Sequence, residues 1–195
     1  MLDRAAFGRD HFERAEATLL FVALTTGMRN AEVIGLTWSD VIIDPDDGSG
    51  RLHVCRTLQR VVDREAPLRV HTNGRVIQPR KLVVGPPKSK SGDRWIPLFP
   101  EAVDMLLAER QRQCEAGWQA LPVGDLVFCT RYGRPLSDVY LGQRIERLCD
   151  LAGLERRSFY ALRHTFASML VQAGESDVSL ADAIGHADSS TTKKV

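Results

Sequence analysis

Arginine, lysine, tyrosine and histidine are the residues here whose side chains could hold an anion or move a proton. Residues 51–94 hold eleven Lys/Arg against three acids, a surplus of eight positive charges, while the whole chain is only +1 and the remainder therefore about −7. One basic segment on an otherwise acidic chain suits a polyanion-binding face, although charge runs are commonly just solvated. Arg29 and Glu32 stand three apart, a spacing that lets them pair on one helix face. A guanidinium fork can hold two phosphate oxygens at once, which no other side chain does. Lys88 and Lys90 flank a serine, and a desolvated lysine shifts its pKa toward proton delivery. Tyr160, three before Arg163, offers with a pKa of ~10 a neutral hydrogen bond or a weak acid. The four cysteines, Cys55, Cys114, Cys129 and Cys149, show no CxxC pairing, which argues against a zinc site or a disulfide framework and fits a reducing cytosol.

These groups need a scaffold, and 195 residues with 44% hydrophobic and 26% charged content suit one full domain. No apolar run approaches ~18 residues, so no transmembrane helix is expected. The charged N-terminus lacks the apolar core of a secretory signal. Residues 10–44 read as helical. One helix covers Ala15–Leu24 with Gly27 as its stop, and a second runs Asn30–Leu36 with Asn30 as cap. Residues 51–99 read as strands: RLHVCRTL, RVIQ, the stretch around KLVVG, and DRWIPL ending at Pro97. They predict a small antiparallel sheet of about three strands with a long excursion between Val62 and Arg75. Residues 100–195 are helical again. Helices are expected from Pro100, over Ala102–Arg112, Ser137–Ala152 and Ser158–Ala173, with Gly153 and Gly174 as stops. A short helix Asp177–Ile184 ends at Gly185, and Ser189 or Ser190 caps a last one. The fold class is α+β, mainly helical with a small three-stranded antiparallel sheet.

Four stretches, in order, resemble the boxes of the tyrosine recombinase (phage integrase) family. TTGMRNAEVIGLTWSDV, Thr25–Val41, is similar to the first. The resemblance makes Arg29 a contact to the scissile phosphate and Glu32 its structural partner. FYALRHTFASMLVQAG, Phe159–Gly174, is similar to the second, of the form His-x-x-Arg, and makes Arg163 the second phosphate-binding arginine. Tyr160 stands where the family usually has histidine. It either holds a phosphate oxygen without acid–base work or packs in the core with its hydroxyl satisfied. His164 is read as structural. LADAIGHADSSTTKKV, Leu180–Val195, is similar to the third box, with His186 as a further hydrogen-bond donor to the phosphate. GPPKSKSGDRWIPL, Gly85–Leu98, resembles the hairpin that carries the family's general acid toward the leaving 5′ oxygen. Lys88 fits that register best and Lys90 is the alternative. Arg80, Lys81, Lys90, Arg94, Thr191 and Lys193 are expected to contact DNA.

The resemblance implies that a tyrosine hydroxyl attacks a DNA phosphodiester, forming a 3′-phosphotyrosyl link and releasing a 5′ hydroxyl. A second 5′ hydroxyl then reverses the step, with no metal or other cofactor. The two arginines and His186 stabilise charge on the non-bridging oxygens. The nucleophile is expected ten residues beyond His186, just after Val195. Tyr132, Tyr140 and Tyr160 do not occupy that position, so residues 1–195 are expected to be a truncated catalytic domain. The family's N-terminal core-binding domain is likewise expected to be missing. Partners implied are double-stranded DNA and, for a full-length protein, a homo-tetramer on DNA; no membrane is involved, and the location is cytoplasmic. Two other readings share these residues: a type IB topoisomerase, and a non-catalytic DNA-binding relative.

Overall fold

A computed structural model describes residues 4–87, 89–116, 125–130, 132–176, 183 and 185. The first helix, α1 (Arg4–Thr26), extends the expected Ala15–Leu24 at both ends. It stops where expected, because Gly27 takes a left-handed φ of +60°. The short α2 (Asn30–Val33) follows. It ends earlier than the expected Leu36, and the capping position falls on Arg29 rather than Asn30. Just beyond its end the chain runs close to another segment, since a Cβ on Gly35 would lie 2.8 Å from the backbone N of Leu58. The chain leaves the helix where another segment crosses it.

The strand region differs from expectation in membership more than in kind. β1 (Val41–Ile43), β2 (Gly50–Val54) and β7 (Arg94–Leu98) form the three-stranded antiparallel sheet, in the order β1-β2-β7. β1 falls inside the stretch expected to be helical; the run Val41-Ile42-Ile43 is β-branched and suits a pleated surface better than a helix. RLHVCRTL breaks at Cys55–Arg56, so its second half becomes β3 (Thr57–Val62). β3 pairs with β6 (Arg80–Gly85), and between them β4 (Arg69–Val70) pairs with β5 (Val76–Ile77). RVIQ and KLVVG therefore belong to a projecting ribbon, not to the main sheet.

The remaining helices follow the sequence closely. α3 (Pro100–Glu115) has proline in its first turn, and α4 (Asp138–Ala152) is capped by Ser137 Oγ accepting from the Tyr140 N–H. Gly153 closes α4 with φ +65°. α5 (Tyr160–Gln172) ends just before Gly174, whose φ is +84°. The expected helix Asp177–Ile184 and the cap at Ser189 or Ser190 fall largely or wholly outside the described residues. One apolar core runs from Val22 and Val33 through Leu52, Ile96 and Leu106 to Leu141 and Phe159. Among the described residues, no helix is long and apolar enough to cross a membrane.

Gly27 joins the backbone path to the packing of α5. A Cβ on it would lie 2.4 Å from Cδ1 of Phe166, whose ring fills that space. The left-handed conformation alone costs a non-glycine residue ~1–2 kcal/mol. Gly27→Ala is expected to lower stability by about 2–3 kcal/mol once the crowding is added. Urea denaturation checks this, and an unchanged midpoint would show that Phe166 yields without cost.

Candidate active site

Two helices and one strand bring the arginines together. Arg29 lies at the start of α2, and its backbone N–H donates to Glu32 Oε2 at 2.8 Å, so the helix entry itself orients the carboxylate. Arg29 Nη1 donates to Glu32 Oε1 at 2.8 Å, and Nη2 reaches 156 residues along the chain to the Gly185 carbonyl at 3.0 Å. Glu32 is 1% exposed. Its remaining partner is Arg94 on β7, whose Nη2 lies 3.2 Å from Oε2.

Arg94 is the main departure from the expected site. It was expected on a DNA-facing surface, but it is buried. Its other donors go to the carbonyls of Ala183 (3.0 Å) and Gly92 (3.1 Å). It thus serves as a counter-charge and as a brace between the hairpin and residues 183–185. The signal was present in the sequence: β7 alternates, and Arg94 shares the inward parity of buried Ile96. Gly185 completes the brace, with φ +66° and a position where a Cβ would sit 2.7 Å from the Ser91 carbonyl.

Arg163, one turn into α5, is 3% exposed and its Nη1 donates to the Gly27 carbonyl at 2.6 Å. Phe166 and Ala167 on the same helix form a small second cluster with Leu170 and Ala183, which fixes the helix beside α1. Tyr160 is 46% exposed, so it is not the core-packed tyrosine that the sequence also allowed. His164 meets its ring edge-on, with centroids 4.8 Å apart. One turn separates Tyr160 from Arg163, so both project from one face of α5.

The electrostatics favour an anion. Burial would raise the pKa of Glu32, but the charge of Arg94, with hydrogen bonds from Arg29 and Arg94, outweighs it and holds the carboxyl below its usual range. Burial pushes Arg163 down to about 10, the Arg29 charge adds to this, Glu32 opposes it, and Arg94 adds again. Glu32 thus pairs with Arg29 and Arg94, and its charge also acts on Arg163. Arg29, one-third exposed, opens this positively charged group to solvent. An anion binding there relieves a repulsion already built into the fold.

Of the other expected site residues, Lys88, His186, Thr191 and Lys193 lie outside the described residues, and only the backbone of Lys90 is described, in a single 3-10 turn, Lys90–Gly92. Arg80 and Lys81 stand exposed on β6. Among the described residues no cluster of His, Cys, Asp or Glu is arranged to hold a metal ion.

Comparison with known proteins bears on the family and the fold. Residues 9–194 match the phage integrase family, and the chain belongs to that family. It is 27% identical over 185 residues to a XerC-like tyrosine recombinase of Caldanaerobacter subterraneus subsp. tengcongensis, covering 91% of this chain and 44% of that protein. It is 26% identical over 187 residues to a XerD tyrosine recombinase of Halalkalibacterium halodurans, covering 95% of this chain and 50% of that protein. The chain thus spans about half the length of the curated relatives it matches. Among solved structures, the Tn1549 transposon integrase in complex with transposon right end DNA superposes with a TM-score of 0.69. That match has 23% identity and covers 91% of this chain and 52% of that one. The XerH site-specific recombinase bound to its difH substrate gives 0.65, with 21% identity and coverage of 94% and 42%. These likenesses identify the α+β architecture as the tyrosine recombinase catalytic fold.

Proposed function

We propose that residues 1–195 are the catalytic domain of a site-specific DNA recombinase of the integrase type, which cuts and rejoins duplex DNA through a 3′-phosphotyrosyl link. The observation that carries this reading is the gathering of Arg29, Arg94 and Arg163 around the single buried carboxylate of Glu32. Arg29 and Arg163 take the non-bridging oxygens of the scissile phosphate. Arg94 and Glu32 hold them in place. Tyr160 adds a neutral hydrogen bond from its exposed position on α5, and His186 adds another. A tyrosine oxygen bonds to phosphorus, the bond to the 5′ oxygen breaks, and Lys88, or alternatively Lys90, protonates that oxygen. A second 5′ hydroxyl reverses the step. The link conserves the bond energy, so the exchange requires no nucleotide cofactor.

The working assembly is a homo-tetramer on two duplexes, in the cytoplasm where the DNA lies. The family relationship, the recombinase names of the relatives and the DNA in the solved complexes support this reading. The attacking tyrosine is assigned to a position just after Val195. Tyr140 is unsuited to the role: burial first, then its hydrogen bond to Glu16 Oε1 (2.7 Å), raise its hydroxyl well above the ordinary value. A nicked suicide duplex, in which the released strand diffuses away and traps any link, tests the assignment. Residues 1–195 are expected to bind it without a covalent adduct; an adduct mapped to Tyr132, Tyr140 or Tyr160 would overturn the assignment.

A further inference from the structure

The excursion between β2 and β7 is long for a domain of this size, and its exposure is unusual. Val61, Val62, Leu68, Val70, Val76 and Ile77 are all exposed, with Val70 at 71%. The pairing register sorts its charges onto two faces. Leu58 lies opposite Val84, Arg60 opposite Leu82 and Val62 opposite Arg80, so these six residues share one face of the ribbon. Gln59 lies opposite Val83 and Val61 opposite Lys81, and these share the other.

The two faces differ in charge balance. Lys81 is neutralised where it stands, with Nζ 3.2 Å from Asp63 Oδ1 and 3.6 Å from Glu65 Oε2. Arg60 and Arg80 are diagonal neighbours on the opposite face and make no ion pair with the described residues. Like charges so placed repel one another. At the foot of their face Leu58 enters the core beside Gly35, just past α2. β3, which carries Arg60, thus packs against α2, the helix that Arg29 opens.

We propose that this face of the β3–β6 ribbon, with Arg60 and Arg80 as its contacts, is a second duplex-DNA-binding element distinct from the arginine cluster, and that Lys81 takes no part in it. The proposal rests on the DNA reading above. Charge complementarity selects the occupant: two uncompensated arginines, with no acid on their face, fit a polyanion. A two-stranded ribbon also has the width that the major groove of B-DNA admits. The contacts are to phosphates, and they position the duplex without reading its sequence.

Salt dependence of binding by residues 1–195 to a labelled duplex tests this, because each phosphate contact contributes about 0.9 to the log–log slope. The double variant Arg60→Gln/Arg80→Gln is expected to flatten the slope by about 2. Between about 50 and 200 mM salt the unaltered chain then loses roughly tenfold more affinity than the variant. Lys81→Gln is expected to leave the slope within about 0.5 of the unaltered value. Arg60→Lys/Arg80→Lys is expected to keep it, since the charge is retained. A double glutamine variant with an unchanged slope, or an equal effect from Lys81→Gln, overturns the ribbon assignment and leaves the arginine cluster standing. A chain that binds no duplex at any salt overturns both.

Discussion

Glu32→Ala is expected to destabilise the domain by about 3–5 kcal/mol, the range for breaking a buried ion pair from one side. Glu32 is the only carboxylate bonded to Arg29 and Arg94 among the described residues, and Arg163 lies within its field. Removing it strands buried positive charge and leaves the N–H of Arg29 without its acceptor. Glu32→Gln keeps the shape and part of the hydrogen bonding and is expected to cost less. The pH dependence follows from the depressed pKa. Because the folded value lies below the unfolded one of 4.5, the stabilisation is fully present above about 4.5 and is lost as the pH falls through the folded value. Urea midpoints across that range should fall more steeply for the natural chain than for Glu32→Gln, which has nothing to titrate at that position. A Glu32→Ala variant within about 1 kcal/mol of the natural chain would show that the three arginines do not need it.

Arg163→Met is expected to behave in the opposite way, with little change in stability and a large loss of catalysis. The folded pKa of about 10 lies below the unfolded value. Keeping Arg163 charged therefore costs stability throughout the range below about 10, and the cost is relieved only as pH rises above that value. Methionine removes that cost but leaves the Gly27 carbonyl without its donor, a penalty of about 1–3 kcal/mol. The two offset, and the net is expected to lie within about 1 kcal/mol. Loss of one preorganised donor to a developing oxyanion typically slows a reaction ~10²–10³-fold. Single-turnover strand cleavage, measured where the unaltered protein cleaves, should fall by that factor. A fall of less than tenfold would remove Arg163 from the phosphate site.

Helix ends were the most legible part of the fold, because the residues that stop helices do so through local backbone geometry. Gly27 and Gly153 act where they stand, and Ser137 caps through its own side chain. Arg29 and Glu32 could be paired by spacing alone. The rest depended on long-range contacts. β1 was hidden by the helical residues before it, and its three residues become a strand only because β2 lies alongside. The ribbon's inner strands looked like sheet members because alternation reports a strand but not its partner. Arg94 carries the charge of a surface residue, and its burial is explained only by Glu32, which lies 62 positions earlier. The sequence also ranked Arg80 and Lys81 together, since pairing across to Asp63 and Glu65 is invisible in one dimension.

Arg29 and Arg163, the two arginines proposed to hold the phosphate, both donate to main-chain oxygens, Arg163 to that of Gly27 and Arg29 in part to that of Gly185. A carbonyl is present whatever side chain a residue bears, so no substitution deletes either acceptor directly. A substitution can act on them only by diverting the chain, and at both positions a left-handed glycine holds that path. These two main-chain bonds are thereby uncoupled from most amino-acid exchange around them, whereas the bond of Arg29 to Glu32 is not. A side chain exchanged beside either arginine leaves these acceptors in place as long as the backbone path through Gly27 and Gly185 is kept.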